Sequence, residues 1–226
     1  MRLSKDTPAS VIVTAEALKT RQRKERDQYC EGFGLRIHRA ISWLARAEQC
    51  DDLDGRFVFL WISFNAAYSN ELGEISMAES EQFKRFLRRL VELDSQHSLY
   101  NAIWQKYASA IRVLLDNRYV YQPFWNHHNR IAGFDDWEKH FKTSKQVANI
   151  ALANKETATV LGIIFNRLYT LRNQIIHGGA TWNSSANRNQ LRDATAILGD
   201  LVPSLIEIMM DNKDAHWGEA CYPVVE

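Results

Sequence analysis

Leu161-Gly-Ile-Ile-Phe-Asn-Arg-Leu-Tyr-Thr-Leu171-Arg-Asn-Gln-Ile-Ile-His177-Gly-Gly179 carries one of the two clearest helical patterns in the chain. Leu161, Ile164, Phe165, Leu168, Leu171 and Ile175 recur every three or four positions, the period of one buried helix face. The spacing predicts a helix over about residues 155–177, stopped by Gly178 and Gly179, since glycine just past a helix end is the common terminator. A second helix of equal clarity is expected from about Ser184. Its stripe is Leu191, Ile197, Leu198, Leu201, Leu205, Ile208 and Met209, with Pro203 predicted to kink or break it.

Working outward, the same period recurs in Ile37, Ile41, Leu44 and Ala47, within a helix predicted over residues 33–50. Asp51-Asp-Leu-Asp54-Gly55 interrupts it and offers Asp54 as the N-cap of the next helix. That next helix places Phe57, Leu60, Trp61, Phe64, Ala67 and Tyr68 nearly on one side and should be a central core element. A third is predicted over residues 78–94 with Phe83, Phe86, Leu87 and Leu90 inward, and a fourth over residues 98–115. Asp135 or Asp136 is positioned to cap a helix running into the 150s. The expected architecture is an all-α helical bundle, with residues 1–32 an arm or short helix, residues 33–213 the helical domain and residues 214–226 a tail.

Composition bounds the function. The chain has 226 residues, 46% of them hydrophobic, with only four prolines and ten glycines. That suits a mostly helical globular domain and excludes a disordered tail protein. The 28 Lys+Arg are balanced by 27 Asp+Glu, a net charge of +1. Any nucleic-acid contact is therefore local rather than a property of the whole surface. Cys30, Cys50 and Cys221 are widely spaced, form no C-x-x-C pattern and predict a reducing, cytoplasmic setting. No window approaches the roughly 20 apolar residues of a membrane span, so no membrane partner is expected.

Two charged faces and one aromatic stretch admit more than one reading. The run from Lys19 to Arg26 is read as a solvated face, with phosphate contact as the alternative. On the helix over 78–94, Lys84, Arg85, Arg88 and Arg89 form two like-charge i,i+4 pairs, each costing about 0.2–0.5 kcal/mol. Either an anionic partner answers this cluster, or Glu81, Glu92 and Asp94 neutralise it. Residues 117–134 are rich in aromatics, contain Pro123 and Gly133 and lack a helical period. They read as an ordered insertion whose rings pack on the domain, the alternative being that aromatics interleaved with Arg118 and Arg130 stack on bases.

The local pattern with catalytic content is Arg172-Asn-Gln-Ile-Ile-His177. One Arg-to-His spacing of this kind is unsurprising in a chain with 7 histidines; its context gives it weight. The arginine interrupts an apolar helix, Asn173 follows it, and the histidine ends the helix before the glycine pair. A structural role for the histidine, as a cation at a helix C-terminus, contributes about 0.3–1 kcal/mol. On one ideal helix the two side chains are about 140° apart in azimuth and about 7.5 Å apart along the axis. One helix alone aims them poorly at a single phosphate, whereas two copies about a two-fold axis would bring both pairs into a shared cleft. His127, His128, Asp135, Asp136 and His140 are close in sequence but match no zinc signature. There is also no nucleophile-elbow or glycine-rich phosphate loop.

Arg172-Asn-x-x-x-His177 resembles the R-x(4–6)-H signature of the HEPN superfamily, in which a polar residue commonly follows the arginine. Leu171-Arg-Asn-Gln-Ile-Ile-His-Gly-Gly-Ala-Thr-Trp182-Asn-Ser184 and the upstream Leu60-Trp-Ile-Ser-Phe-Asn65-Ala-Ala-Tyr68 are similar to that family, as is the long helix after the motif. The resemblance covers roughly residues 33–212, with 117–134 as an insertion. It implies a HEPN-like four-helix core with extra helices, dimerising through the 155–177 helix, and a metal-independent, cofactor-free endoribonuclease of toxin–antitoxin or antiviral-defence type. His177 would serve as general base or acid for attack of the ribose 2′-OH on the adjacent phosphate, leaving a 2′,3′-cyclic phosphate. Arg172 would bind that phosphate and Asn173 would orient the substrate or the arginine. Arg85, Arg88, Arg89 and Arg188 are the local groups expected to bind the RNA. An antitoxin or other defence-system protein is an implied partner. Members paired with a nucleotidyltransferase antitoxin often carry Tyr two residues after the histidine, where this chain has Gly179. The alternative is a catalytically silent HEPN-like module that binds RNA, a nucleotide or a protein.

Overall fold

The computed structural model describes residues 13–68, 81–185 and 187–218, and every regular element among them is helical. The α-helices are α1 (Ala15–Glu25), α2 (Glu31–Glu48), α3 (Leu53–Tyr68), α4 (Glu81–Leu93), α5 (Ser98–Asn101), α6 (Ala108–Asp116), α7 (Gln122–His128), α8 (Trp137–Ala153), α9 (Thr157–Ile176) and α10 (Arg188–Asp211). None is long and apolar enough to cross a membrane. Cys221 and the predicted start of the third helix lie outside the described residues.

The apolar stripes dictate the packing. Helices α2 and α3 lie against each other as the main pair, α10 packs across α3, and α4 packs on α9. Phe64 of α3 stacks on Phe165 of α9 at 4.2 Å, with Phe83 of α4 edge-on to both. All three rings are buried. Truncating such a ring costs about 3–5 kcal/mol, so Phe165→Ala should lower the denaturation midpoint sharply. Within the arm, the described residues include the helix α1, whose Ala15 and Leu18 are buried and which packs on α2 and α10; residues 1–12 lie outside the described residues.

Several local expectations are corrected. Asp54 does not cap α3. The cap is Asp52, whose Oδ1 accepts from the Gly55 amide at 2.7 Å, leaving Asp54 to pair with Arg188. The predicted fourth helix is three pieces, α5, a π-helical turn over Ala102–Lys106, and α6. Asp94 does not neutralise the α4 arginines; it is buried, and its carboxylate accepts from the Ser98 and Leu99 amides at the start of α5. The last helix begins at Arg188, after Asn187 in the left-handed region, rather than at Ser184, and it continues unbroken through the buried Pro203. Residues 117–134 include a 3₁₀ turn at Arg118–Val120 and the short helix α7, with Pro123 in its first turn, where a missing amide costs no hydrogen bond.

Candidate functional site

Helix α9 ends in a closed glycine cap. His177 is the C-cap residue, and its amide donates to the Asn173 carbonyl at 3.0 Å. Gly178 adopts φ +68°, and its amide donates to Ile175 O at 3.2 Å, while the Gly179 amide reaches back to Gln174 O at 2.7 Å. The pair of reversed bonds is a Schellman motif, which satisfies carbonyls the helix leaves open. Each glycine has its own reason. Gly178 takes a left-handed conformation that disfavours side chains, whereas a Cβ at 179 would lie 3.0 Å from the Gln174 oxygen. A tyrosine at 179 would therefore push against the helix's own backbone.

This cap fixes the arc of side chains around the last two turns. At 100° per residue, with Arg172 as zero, Ile176 falls at about 40°, Asn173 at about 100° and His177 at about 140°; Gln174 and Arg167 follow at about 200° and 220°. Asn173 thus bridges the arc between arginine and histidine, and its Oδ1 accepts from Arg172 Nη1 at 2.9 Å. Arg172 is half-buried and its Nε is buried without a hydrogen-bond partner. No carboxylate pairs with it among the described residues. His177 is exposed, and its imidazole makes no hydrogen bond among those residues. A fixed cation without a counter-ion and a free imidazole on one helix end suit an anionic ligand with a transferable proton.

The rest of the site is assembled around Gln174 of the motif by residues outside it. Gln174 Nε2 donates to the Tyr119 carbonyl in the insertion, and Gln174 Oε1 accepts from Asn187 Nδ2 at 3.1 Å. Arg188, at the start of α10, donates to the Ser184 carbonyl and pairs with Asp54 at 2.7 Å. It lies at the motif's end, but its charge is already answered. Trp182 in the intervening loop donates to Asp52 Oδ1 at 3.4 Å and leaves its ring 74% exposed.

Arg85, Arg88 and Arg89 are elsewhere. Helix α4 meets α9 near Gly162, where Leu87 is the nearest neighbour. That crossing is ten residues, or about 15 Å, from Arg172 along the axis. Arg85 and Arg89 line a cleft with Phe86, His216 and Trp217 that contains none of Arg172, Asn173 and His177. Glu81 lies 3.0 Å from Lys84 and 3.5 Å from Arg88, and the Lys84 ammonium holds its carboxyl below the usual range. Arg89 donates to the His216 carbonyl.

Arg167 had no place in the sequence-based site. It is 2% exposed, with its guanidinium 4.4 Å from the Tyr121 ring centroid, 5.5 Å from that of Phe141, and Nη2 donating to Ser144 Oγ. Burial pushes its pKa down to about 10. Arg167 and Gln174 are seven residues apart on the same face, so together they dock the insertion and α8 against α9. The available signal was an arginine one turn from an apolar stripe with no acid at i±4.

The histidine-rich segment is part of the aromatic cap. His128 Nδ1 lies 2.8 Å from the Phe124 carbonyl, and His127 Nδ1 lies 3.7 Å from Asp135 Oδ1. No cluster of three or more metal-ligating side chains occurs among the described residues. No family model, curated protein or solved structure matches this chain.

Proposed function

We propose that the chain is a HEPN-like, metal-independent endoribonuclease acting through Arg172 and His177. The observation that carries this reading is the half-buried Arg172 guanidinium, which among the described residues has no carboxylate partner and is linked through Asn173 to the arc that ends at an imidazole without a hydrogen bond there. Desolvated cations ordinarily find a counter-ion, so a phosphate is the natural occupant, and the planar fork of arginine suits it.

In the reaction, the imidazole takes the proton of the ribose 2′-OH as that oxygen attacks phosphorus. The P–O5′ bond breaks and the 5′-oxygen leaves with a proton returned by an imidazolium or by water. Arg172 stabilises the extra charge on the pentacoordinate phosphate. Because Arg172 and His177 face directions about 140° apart, the site works as a homodimer in which a second copy's α9 closes the cleft. Ile176 and Trp182, 47% and 74% exposed, supply apolar surface for that contact. With Gly179 two residues after His177, the chain lacks the tyrosine that a nucleotidyltransferase antitoxin modifies at that position, which argues for an inhibitor acting in another way.

The test is cleavage of mixed tRNA and mRNA in EDTA by wild type and His177→Ala, with the fragment ends identified. The reading predicts 2′,3′-cyclic phosphate ends from wild type and none from the variant. Equal cleavage by both would refute His177 as the catalytic group, and no cleavage by either would favour a silent binding module.

A further inference from the structure

We propose that Arg118 and Tyr119 form a nucleobase-stacking platform beside His177 that confines the site to unpaired RNA. The inference rests on the ribonuclease reading of Arg172 and His177 and names the substrate class of that site.

The backbone of Tyr119 is fixed from both sides. Its amide donates to Asn117 Oδ1 at 2.9 Å, and its carbonyl accepts from Trp125 Nε1 at 2.7 Å and from Gln174 Nε2 of the motif helix. Tyr119 is 41% exposed, and its ring meets Phe124 edge-on at 5.4 Å. The Arg118 guanidinium sits 5.1 Å from its centroid, with Nη2 donating to the Tyr119 hydroxyl at 3.1 Å. Arg118 is exposed, and no carboxylate pairs with it among the described residues. A flat, held aromatic with a planar cation on it matches the face of a base and the charge of the adjoining phosphate.

Placement connects the platform to the chemistry. Gln174, which binds the Tyr119 carbonyl, is about 60° from His177 on the α9 wheel. The platform therefore flanks the histidine side of the arc, and Arg172 lies on the far side of Asn173. Because Arg172 lies about 160° from Gln174 on the same wheel, the second copy's Arg172 would meet the phosphate of a nucleotide whose 2′-OH is near His177 and whose neighbouring base is near Tyr119. A base can lie on that ring only when it is out of a duplex stack, because a paired base presents its edge to a protein and not its face.

Anchoring through the carbonyl allows a clean test, since side-chain changes at 119 leave the Gln174 and Trp125 hydrogen bonds in place. In full-length His177→Ala protein, binding of a short, unstructured, fluorophore-labelled RNA is compared with binding of the same RNA annealed to its complement. Tyr119→Leu is predicted to weaken the single strand by about 5- to 100-fold, in line with one stacked base. Tyr119→Trp should retain it, and duplex binding should be weak and unchanged throughout. The platform is overturned if Tyr119→Leu binds as its parent does or loses single strand and duplex equally. It is also overturned if the loss follows dissociation of the dimer, or if the parent binds no single strand at all. Tyr119-dependent binding with no cleavage by protein retaining His177 would uphold the platform while removing the ribonuclease.

Discussion

Arg88 on α4 is 3.5 Å from Glu81, and Arg89 donates to the His216 carbonyl, whereas Arg167 and Arg172 on α9 are buried or half-buried and meet no carboxylate among the described residues. By sequence α4 is the more cationic helix. By environment α9 holds the more consequential charges, because an exposed arginine is neutralised cheaply by water and a neighbouring acid, while a desolvated one is costly unless something is gained. Arg167 stacks on two aromatic rings and fastens the insertion. Among the described residues Arg172 has only its neighbour Asn173, and the Nε atoms of both arginines are buried without a partner. The number of arginines on a helix face thus says less about ligand binding than whether each has found a partner.

The widest separation between the two helices should appear in cleavage. His177→Ala is expected to lose about 10²- to 10⁴-fold in rate, with a far-UV circular dichroism spectrum like wild type; a loss of under tenfold would mean that another group moves the proton. Removing the Arg172 fork as Arg172→Gln should cost about 10²- to 10³-fold, read from the same initial rates, again without unfolding. If Arg172→Gln instead lowered stability by several kcal/mol, the guanidinium would be structural and would join Arg167 in its class.

Next in size is the cap that presents His177. Gly178→Ala forces a side chain into a left-handed position and should cost about 1–2 kcal/mol, seen as a lower denaturant midpoint at unchanged slope. The comparison within α9 is sharpened by Arg167→Met. The folded-state pKa of about 10 lies below the usual arginine value, so folding disfavours the charged form. That penalty is fully present below about pH 10 and is relieved as pH rises from there towards the unfolded value. At pH 7 the lost cation–π contacts and the relieved penalty should nearly offset, leaving stability within about 1 kcal/mol of wild type. Any advantage of the variant should shrink above pH 10. A fall of several kcal/mol at neutral pH would show that the rings more than repay the burial.

Much of this was legible in the sequence, and the parts that were not share a cause. The α9 and α10 stripes are long and periodic, so burial on one face follows from spacing alone. The glycine pair after His177 announced the helix end because only the local backbone is involved. The sequence points to Asp54 as the cap of α3, but Asp52 caps it, and Asp54 pairs with Arg188, 134 residues away and beyond the reach of a local pattern. Helix α7 spans seven residues, too few to be stable by itself, and it exists because Phe124 packs with Tyr121 and Trp137. Likewise, the two roles of the α9 arginines depended on which rings and acids the fold brought near them, which no spacing within the helix records. The Arg172–Asn173–His177 arc was readable; its link to Tyr119 through Gln174 was not.

The most direct measurement sets the two helices against each other in one EDTA-containing assay. Initial cleavage rates of Arg172→Gln and of an α4 triple variant, Arg85→Gln with Arg88→Gln and Arg89→Gln, are compared with wild type on the same RNA. The account predicts a fall of at least about 100-fold for Arg172→Gln and no more than about threefold for the α4 variant, whose charges are exposed and partly paired. A large loss from the α4 variant with near-normal cleavage by Arg172→Gln would contradict it.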